Sequence, residues 1–380
     1  MSQRLKIAGY VYPSDLIEPT GVGMLTLHMN LALARNPDVE FKLLTSASEL
    51  TGNGRLPDSH PLRSIPAIGL PMSRQMREGC WLAFNRPYID RELPDDCWIY
   101  NSLETYTPTR RCRRIVTVHH IEPAKPERSF RQRLAHLRLQ KAIRTADVLL
   151  AQSNFTAHEI ANLYRVPVER ISVVGSGVDE SLLTERLTPK PSPYTPYVIS
   201  VGAFQLRKGT DYLFAMAREL QRRGSPLRIV CPFGLRGLPP FTEEVKSLPN
   251  VVALDYVSRG ELLDLIRGAV CMVIPSRLEG FGLTAIESMA LGTPVVASNN
   301  SALPETLGAA GILVEPTDAR ALADATENIF ADAQHRSRLV SIGTVRARNF
   351  TWQKCMERLI QATMNRTPAV APSRNHSQKP

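Results

Sequence analysis

Residues Tyr197–Leu220 read YVISVGAFQLRKGTDYLFAMAREL, and the order of residue types along them decides the fold class. The run YVISVG (Tyr197 to Gly202) is apolar and rich in β-branched residues, as a strand buried on both faces must be. A polar loop carrying Arg207, Lys208 and Gly209 follows, and then an amphipathic stretch from about Asp211 to Arg223 with helical spacing. Strand, loop and helix in that order make one βα unit, and repeats of it wind a parallel sheet.

The alternation continues downstream in RIVCPF (Arg228 to Phe233), VVALDYV (Val251 to Val257), AVCMVIP (Ala269 to Pro275), PVVAS (Pro294 to Ser298) and ILVEP (Ile312 to Pro316). Six strands make a complete sheet, with helices expected at about Arg259 to Arg267, Thr284 to Leu291 and Asp318 to Phe330. Upstream, the runs are LKIAGYV (Leu5 to Val11), FKLLT (Phe41 to Thr45), IVTV (Ile115 to Val118), DVLLA (Asp147 to Ala151) and ISVV (Ile171 to Val174). Helical patterns follow Gly23, Arg128 and Asn154. Between the halves lies TPKPSPYTP, Thr188 to Pro196, with four prolines in nine residues. Fixed backbone angles and missing donors forbid helix there, so it marks a boundary.

The chain therefore divides into a domain over 1–187, a linker over 188–196, a second domain over 197–345 and a helical crossover over 346–364. Its core is the amphipathic stretch Trp352 to Met364. The polar tail 365–380 is expected to be disordered. The fold class is α/β: two Rossmann-like, doubly wound domains facing across a cleft, with the C-terminal helix packing back on the first. At 380 residues the chain is too long for one ordinary core, which agrees with two.

Composition narrows the function. Hydrophobic residues at 43% and charged residues at 22% are globular usage. Six scattered cysteines without a C-x-x-C pair suggest neither a disulfide framework nor a zinc site. No apolar run reaches the length of a membrane span, and the amino terminus reads as a strand, so a cytoplasmic protein is expected. The net charge is +10, and between Thr105 and Thr145 eleven basic residues stand against two acids. That segment is either a solvated helix face or a surface drawn to anionic lipid on the inner face of a membrane. Nucleic acid is not expected, because no stacking motif or helix-turn-helix pattern accompanies the charge.

Ligands of open α/β sheets bind at the carboxyl ends of the strands, so chemistry is sought just after them. Gly21-Val22-Gly23 precede the helical pattern MLTLHMNLALA, where glycines let amides approach an anion, or simply make a turn. Arg207 and Lys208 suit a diphosphate, one as a fork and one as a point charge; their alternative is exposed loop charge. In PSRLEGFGLTAIESMALGTPVVAS, Glu279 sits in a turn and Glu287 in the first turn of a helix, eight residues apart. Both carboxylates are expected in one pocket accepting from sugar hydroxyls, while the amides of Gly282, Leu283 and Thr284 face an anion. Placement near a helix amino terminus is the alternative for Glu287.

With these motifs in order, the chain resembles the family-4 glycosyltransferases of the GT-B fold from about residue 5 to 365. ADVLLAQSNFTAHEI and VPVERISVVGSGVD resemble segments before the interdomain linker. The Arg207-Lys208-Gly209 loop resembles the diphosphate loop, Glu279 to Glu287 the E-x7-E motif, and SALPETLGAAGILVEPTD the segment after it. The resemblance implies that Arg207 and Lys208 hold the donor diphosphate, Glu279 the donor sugar and Glu287 the ribose, with Gly23 admitting a helix to the phosphates. It also implies that His119 stands beside the donor sugar; read unassisted, a histidine at a strand end is more often a hydrogen-bonded structural residue. Two positions depart from the family pattern: Gly202-Ala203 where members often have Gly-Arg, and His119-His120 where they have His-Asp.

The implied activity is transfer of a hexose, such as mannose or glucose, from a nucleoside diphosphate sugar to an acceptor hydroxyl with retention. Glycan, lipid-linked and small-molecule acceptors all stay open, in polysaccharide, glycan or glycolipid biosynthesis. No D-x-D pattern is present, so neither a metal nor a cofactor is expected. The alternatives are a sugar-nucleotide epimerase on the same fold and a non-catalytic nucleotide-sugar binding protein. A nicotinamide dehydrogenase is disfavoured because the glycine fingerprint is missing from its place.

Overall fold

The computed structural model describes residues 4–17, 19, 21–121, 130–184, 192–233, 241–315 and 317–366. The first sheet contains β1 (Leu5–Tyr10), β2 (Val39–Ser46), β3 (Ala67–Leu70), β4 (Trp98–Asn101), β5 (Arg113–Val118), β6 (Val148–Ala151) and β7 (Ile171–Val173). All pair in parallel, in the order β3-β2-β1-β4-β5-β6-β7. The second contains β8 (Tyr197–Ile199), β9 (Arg228–Cys231), β10 (Val251–Ala253), β11 (Met272–Ile274), β12 (Val295–Ser298) and β13 (Ile312–Val314), in the parallel order β10-β9-β8-β11-β12-β13. Both are doubly wound sheets whose order reverses beside the first strand, at β1/β4 and β8/β11. Connections there leave in opposite directions and open a crevice at the carboxyl ends.

The helices are α1 (Gly21–Arg35), α2 (Arg74–Phe84), α3 (Phe130–Thr145), α4 (Asn154–Tyr164), α5 (Ser181–Thr184), α6 (Thr210–Arg222), α7 (Thr242–Lys246), α8 (Arg259–Gly268), α9 (Leu283–Ala290), α10 (Leu303–Leu307), α11 (Ala319–Ala331), α12 (Ala333–Ala347) and α13 (Trp352–Met364). They cover both faces of each sheet, so successive strand residues enter opposite cores. Along β5, Ile115 joins one apolar cluster and Val116 and Val118 the other. Among the described residues no helix is long and apolar enough to cross a membrane. The proline-rich stretch before Ser192 and the tail after Arg366 lie outside the described residues.

Seven elements were not foreseen: β3, β4, α2, α5, α7, α10 and α12. β3 and β4 have four residues each, too few to show a period, while α2 and α12 each carry an internal glycine and many polar residues. Both helices are held by packing rather than propensity. One boundary is also corrected: α1 begins at Gly21, so Gly21 and Gly23 lie within its first turn instead of in a loop ahead of it.

The chain closes on itself through α13. Trp352, Met356, Leu359 and Ala362 complete the core that Leu25, Met29 and Leu33 of α1 share with β1 and β2, and His28 stacks on Trp352 with centroids 5.1 Å apart. Burying side chains of this size stabilises by about 1.5–3 kcal/mol each. At the crossing, the Val178 amide donates to the Phe350 carbonyl at 3.0 Å. A Cβ on Gly177 would lie 2.4 Å from the Trp352 nitrogen, so the two passing backbones touch where only glycine fits.

A second seam joins the domains across the cleft, and it is polar. The Gly280 carbonyl accepts from Ser153 Oγ at 2.7 Å and Thr156 Oγ1 at 3.1 Å. The Glu305 carboxylate reaches from α10 to the amino end of α4, accepting from the Asn154 amide at 2.9 Å and its Nδ2 at 2.8 Å. A carboxylate there meets unpaired amides and the positive end of the helix dipole. The seam is tight: a Cβ on Gly280 would stand 1.9 Å from the His119 carbonyl oxygen. Gly280→Ala should therefore push the domains apart, raising the radius of gyration in small-angle scattering. Gly79→Ala, in α2 with open space around it, serves as control. Equal radii for all three proteins would refute a closed seam at Gly280.

Candidate active site

The loops after β8 and β11, the two strands at which the second sheet reverses, lie directly on each other. After β8 the chain passes through Gly202 at φ 65° and makes a single helical turn over Leu206–Lys208 before Gly209 at φ 71°. A Cβ on Gly209 would lie 1.8 Å from the Pro275 carbonyl oxygen, so glycine is needed for conformation and for contact. The Arg207 carbonyl accepts from the Arg277 amide at 2.9 Å, and Arg207 Nη1 donates to the Leu278 carbonyl at 3.1 Å.

That contact sets Lys208 against Glu279, Nζ to Oε1 at 2.7 Å, and Ser276 Oγ donates to the same oxygen at 2.7 Å. Glu279 is buried, 7% exposed. Burial alone would raise its carboxyl pKa, but Lys208, then Ser276 and Arg207, outweigh it and hold the group below its ordinary value. The carboxylate is charged at neutral pH. Arg207, Lys208 and Glu279 are thus brought together.

Glu287 is placed differently from expectation. Gly282, at φ 95°, precedes α9, so Glu287 falls in the second turn. It is buried and ion-paired with Arg259, the first residue of α8. The amides of Gly282, Leu283 and Thr284 have no acceptor among the described residues and remain available to an anion. Gly23 packs against the turn before α1, where a Cβ would lie 3.0 Å from Pro19 Cβ. Ala203, one of the two departures from the family pattern, is 1% exposed and packs within the second-domain core.

Across the seam, His119 follows β5 and is buried, 3% exposed. Its Nε2 faces the Ser102 carbonyl and its Nδ1 lies 2.7 Å from Gln152 Nε2. Donation from Nε2–H to Ser102 and acceptance at Nδ1 from Gln152 fix one neutral tautomer. Burial pushes its pKa down to about 4, against a smaller opposing effect of the Ser102 carbonyl. Sequence reasoning missed Glu104, whose carboxylate accepts from the His119 amide at 2.6 Å. Burial raises its pKa despite that bond and the nearby His120, and its own backbone is left-handed at φ 56°. Such a conformation in a bulky residue is costly and marks a constrained position.

Several cations of the basic segment are engaged by side chains of the first domain. Arg138 pairs with Glu78 and Arg111 with Asp95, Arg113 lies over Trp98, and Lys141 lies over Tyr106. Lys125 and Arg128 fall outside the described residues.

Comparison with known proteins places both halves. Residues 21–182 match the family model for Glycosyltransferase Family 4, and residues 189–346 that for Glycosyl transferases group 1. The chain is 30% identical over 255 residues to the D-inositol 3-phosphate glycosyltransferase of Xylanimonas cellulosilytica, covering 60% of this chain and 60% of that protein. It is 27% identical over 285 residues to the O-antigen chain mannosyltransferase B of Escherichia coli, covering 70% and 74%. The Anabaena Alr3699/HepE structure in complex with UDP and glucose superposes with a TM-score of 0.67 at 15% identity, over 95% of this chain and 100% of that one. Such a likeness speaks for the two-domain fold.

Two outcomes follow from the site. Between pH 6.5 and about 4 the unfolded chain takes up a proton that buried His119 refuses, so stability should fall as pH falls through that window. By pH 5 the loss is about 2 kcal/mol. Urea unfolding at pH 7.5 and 5.0 should show a larger loss for the wild type than for His119→Gln, and equal losses would mean that His119 titrates normally. Ala203→Arg should lower the melting temperature by forcing a cation into the core, with no gain in diphosphate affinity; tighter binding would show that the side chain reaches the crevice.

Proposed function

The chain belongs to the family-4 glycosyltransferases, and from that premise we propose that it transfers a hexose from a nucleoside diphosphate sugar to an acceptor hydroxyl with retention of configuration. The observation that carries this reading is the ion pair of Lys208 with buried Glu279 beside Arg207, held between the two strands where the second sheet reverses. A cation and a charged carboxylate at that point suit two parts of one ligand, an anionic diphosphate and a hydroxyl-bearing sugar.

In this reading the donor diphosphate takes Lys208 Nζ and Arg207, leaving the Glu279 carboxylate to accept from hexose hydroxyls. The amides at the start of α9 meet the phosphate oxygens, and Glu287 exchanges Arg259 for the ribose hydroxyls. His119, neutral and bonded at both nitrogens, shapes the wall of the donor-sugar pocket and moves no proton. The bond from the hexose anomeric carbon to the diphosphate breaks with its electrons going to the phosphate oxygen. The acceptor oxygen attacks from the same face, and its proton passes to the departing diphosphate. Lys208, Arg207 and the helix amino end stabilise the charge that develops, so catalysis is electrostatic and positional and requires no metal.

A mannosyl or glucosyl donor is favoured by the similar proteins, one an O-antigen chain mannosyltransferase and one solved in complex with UDP and glucose. The acceptor we propose is a glycan or glycolipid hydroxyl presented by the first domain. Lys208→Ala should reduce donor affinity or turnover by about 10- to 150-fold, the worth of one charged hydrogen bond. Glu287→Ala should weaken free UDP or GDP in calorimetric titration, whereas Glu279→Ala should spare the free nucleotide and impair the intact sugar donor. Unchanged nucleotide binding in Glu287→Ala would remove the ribose assignment, and donor consumption without any acceptor would point to epimerisation instead.

A further inference from the structure

The first domain carries a second basic site at the end of its sheet opposite the cleft. An open hollow of about 900 Å³ lies between the end of α2, the loop before β4 and the loop before β5, lined by Phe84, Arg86, Tyr88, Arg91 and Arg110 among others. These loops lead into the amino ends of β4 and β5, whereas His119 follows the carboxyl end of β5. Six residues of strand separate the two regions by roughly 20 Å.

The hollow is built, not incidental. The Trp81 indole donates to the Pro87 carbonyl at 2.8 Å, and the Ile89 amide to the Pro108 carbonyl at 2.9 Å. Asp90, 1% exposed, accepts from the amides of Arg110, Arg111 and Cys112 at 2.9, 2.6 and 2.9 Å. Burial would raise its carboxyl pKa, but those three amides bring it below the ordinary value, so a buried negative charge is spent on fixing the backbone of this rim. Arg111 is consumed as well, bonded to the carbonyls of Asp90 and Leu93 and paired with Asp95.

Arg86, Arg91 and Arg110 are what remains. All three are exposed on the rim, and among the described residues none is ion-paired with an acid. Three guanidinium groups around one hollow repel one another, while Asp90 is committed to the backbone and Asp95 to Arg111. We infer that this hollow is a binding site for a phosphate group, separate from the donor cleft. Guanidinium forks match phosphate oxygens bidentately, and three of them suit a dianion better than a single carboxylate. The volume far exceeds that of a bare phosphate, and Phe84, 75% exposed, and Tyr88, which lies under Arg86, offer contact to an organic group attached to it. The phosphate can come from a lipid headgroup or from a free phosphorylated compound.

Calorimetric titration of the full chain with inorganic pyrophosphate tests the site. Wild type should take up two equivalents. Arg91→Gln/Arg110→Gln should bind one of them at least about tenfold more weakly, and Lys208→Ala should lose the other. Flotation with phosphatidylcholine vesicles, with and without phosphatidylglycerol, separates the sources. Binding to the anionic vesicles that is lost in the double variant assigns a lipid headgroup. Pyrophosphate binding lost in the double variant, with no vesicle binding, assigns a free phosphorylated ligand. If the double variant matches wild type in both measurements, the hollow is not a phosphate site. A loss confined to Lys208→Ala would leave the donor reading standing and overturn this one.

Discussion

The arrangement of the molecule turns on one peptide group, the carbonyl of Gly280. It accepts two hydroxyl hydrogen bonds from the start of α4, its missing side chain admits the His119 backbone, and it directly follows Glu279. Glu279 and the end of β5 are therefore in register through a single residue. Neutral hydrogen bonds of this kind contribute about 1 kcal/mol each, and the Glu305 contact with α4 somewhat more. A seam of that strength can open, as polar contacts between domains commonly do. The contact between α1 and α13, by contrast, is apolar and built into a core of the first domain.

The charged groups in the cleft satisfy one another. Lys208 rests on Glu279 and Arg259 on Glu287. Separating either pair leaves a buried carboxylate without its cation, which is unfavourable unless a new partner arrives at the same moment. A ligand with both an anionic and a hydroxyl-rich part supplies two partners at once, whereas a simple anion or a simple sugar supplies one. Such a site discriminates by the penalty of a half-made exchange as much as by the contacts finally formed.

Much of the fold was legible because parallel strands buried on both faces are nearly continuous apolar runs. β8 to β13 announce themselves this way, and so do β1, β2 and β5. β3 and β4 do not, since AIGL and WIYN are four residues long and carry glycine or asparagine. The loop cations and Glu279 were legible because they follow directly on strands whose carboxyl ends form the crevice. Three features depended on direction or distance that a sequence does not carry. Ala203 packs within the second-domain core; Glu287 meets Arg259 from another helix; Glu104 reaches the amides after β5 from the loop after β4. Counting charge along the basic segment likewise says nothing about which cations lie over Trp98 or against Glu78.

The crossover has a consequence for how the protein comes into being. The first domain's sheet is complete once β7 has been made, yet one of its cores still lacks Trp352, Met356, Leu359 and Ala362. During synthesis, at about 5–20 residues per second, the intervening stretch of nearly 180 residues takes on the order of ten to forty seconds to emerge. For that time the apolar face of α1 is uncovered while the second domain folds beside it. The last helix is thus a closing piece whose arrival ends the exposure, and a ribosome that stalls late releases a chain with two formed sheets and an open flank.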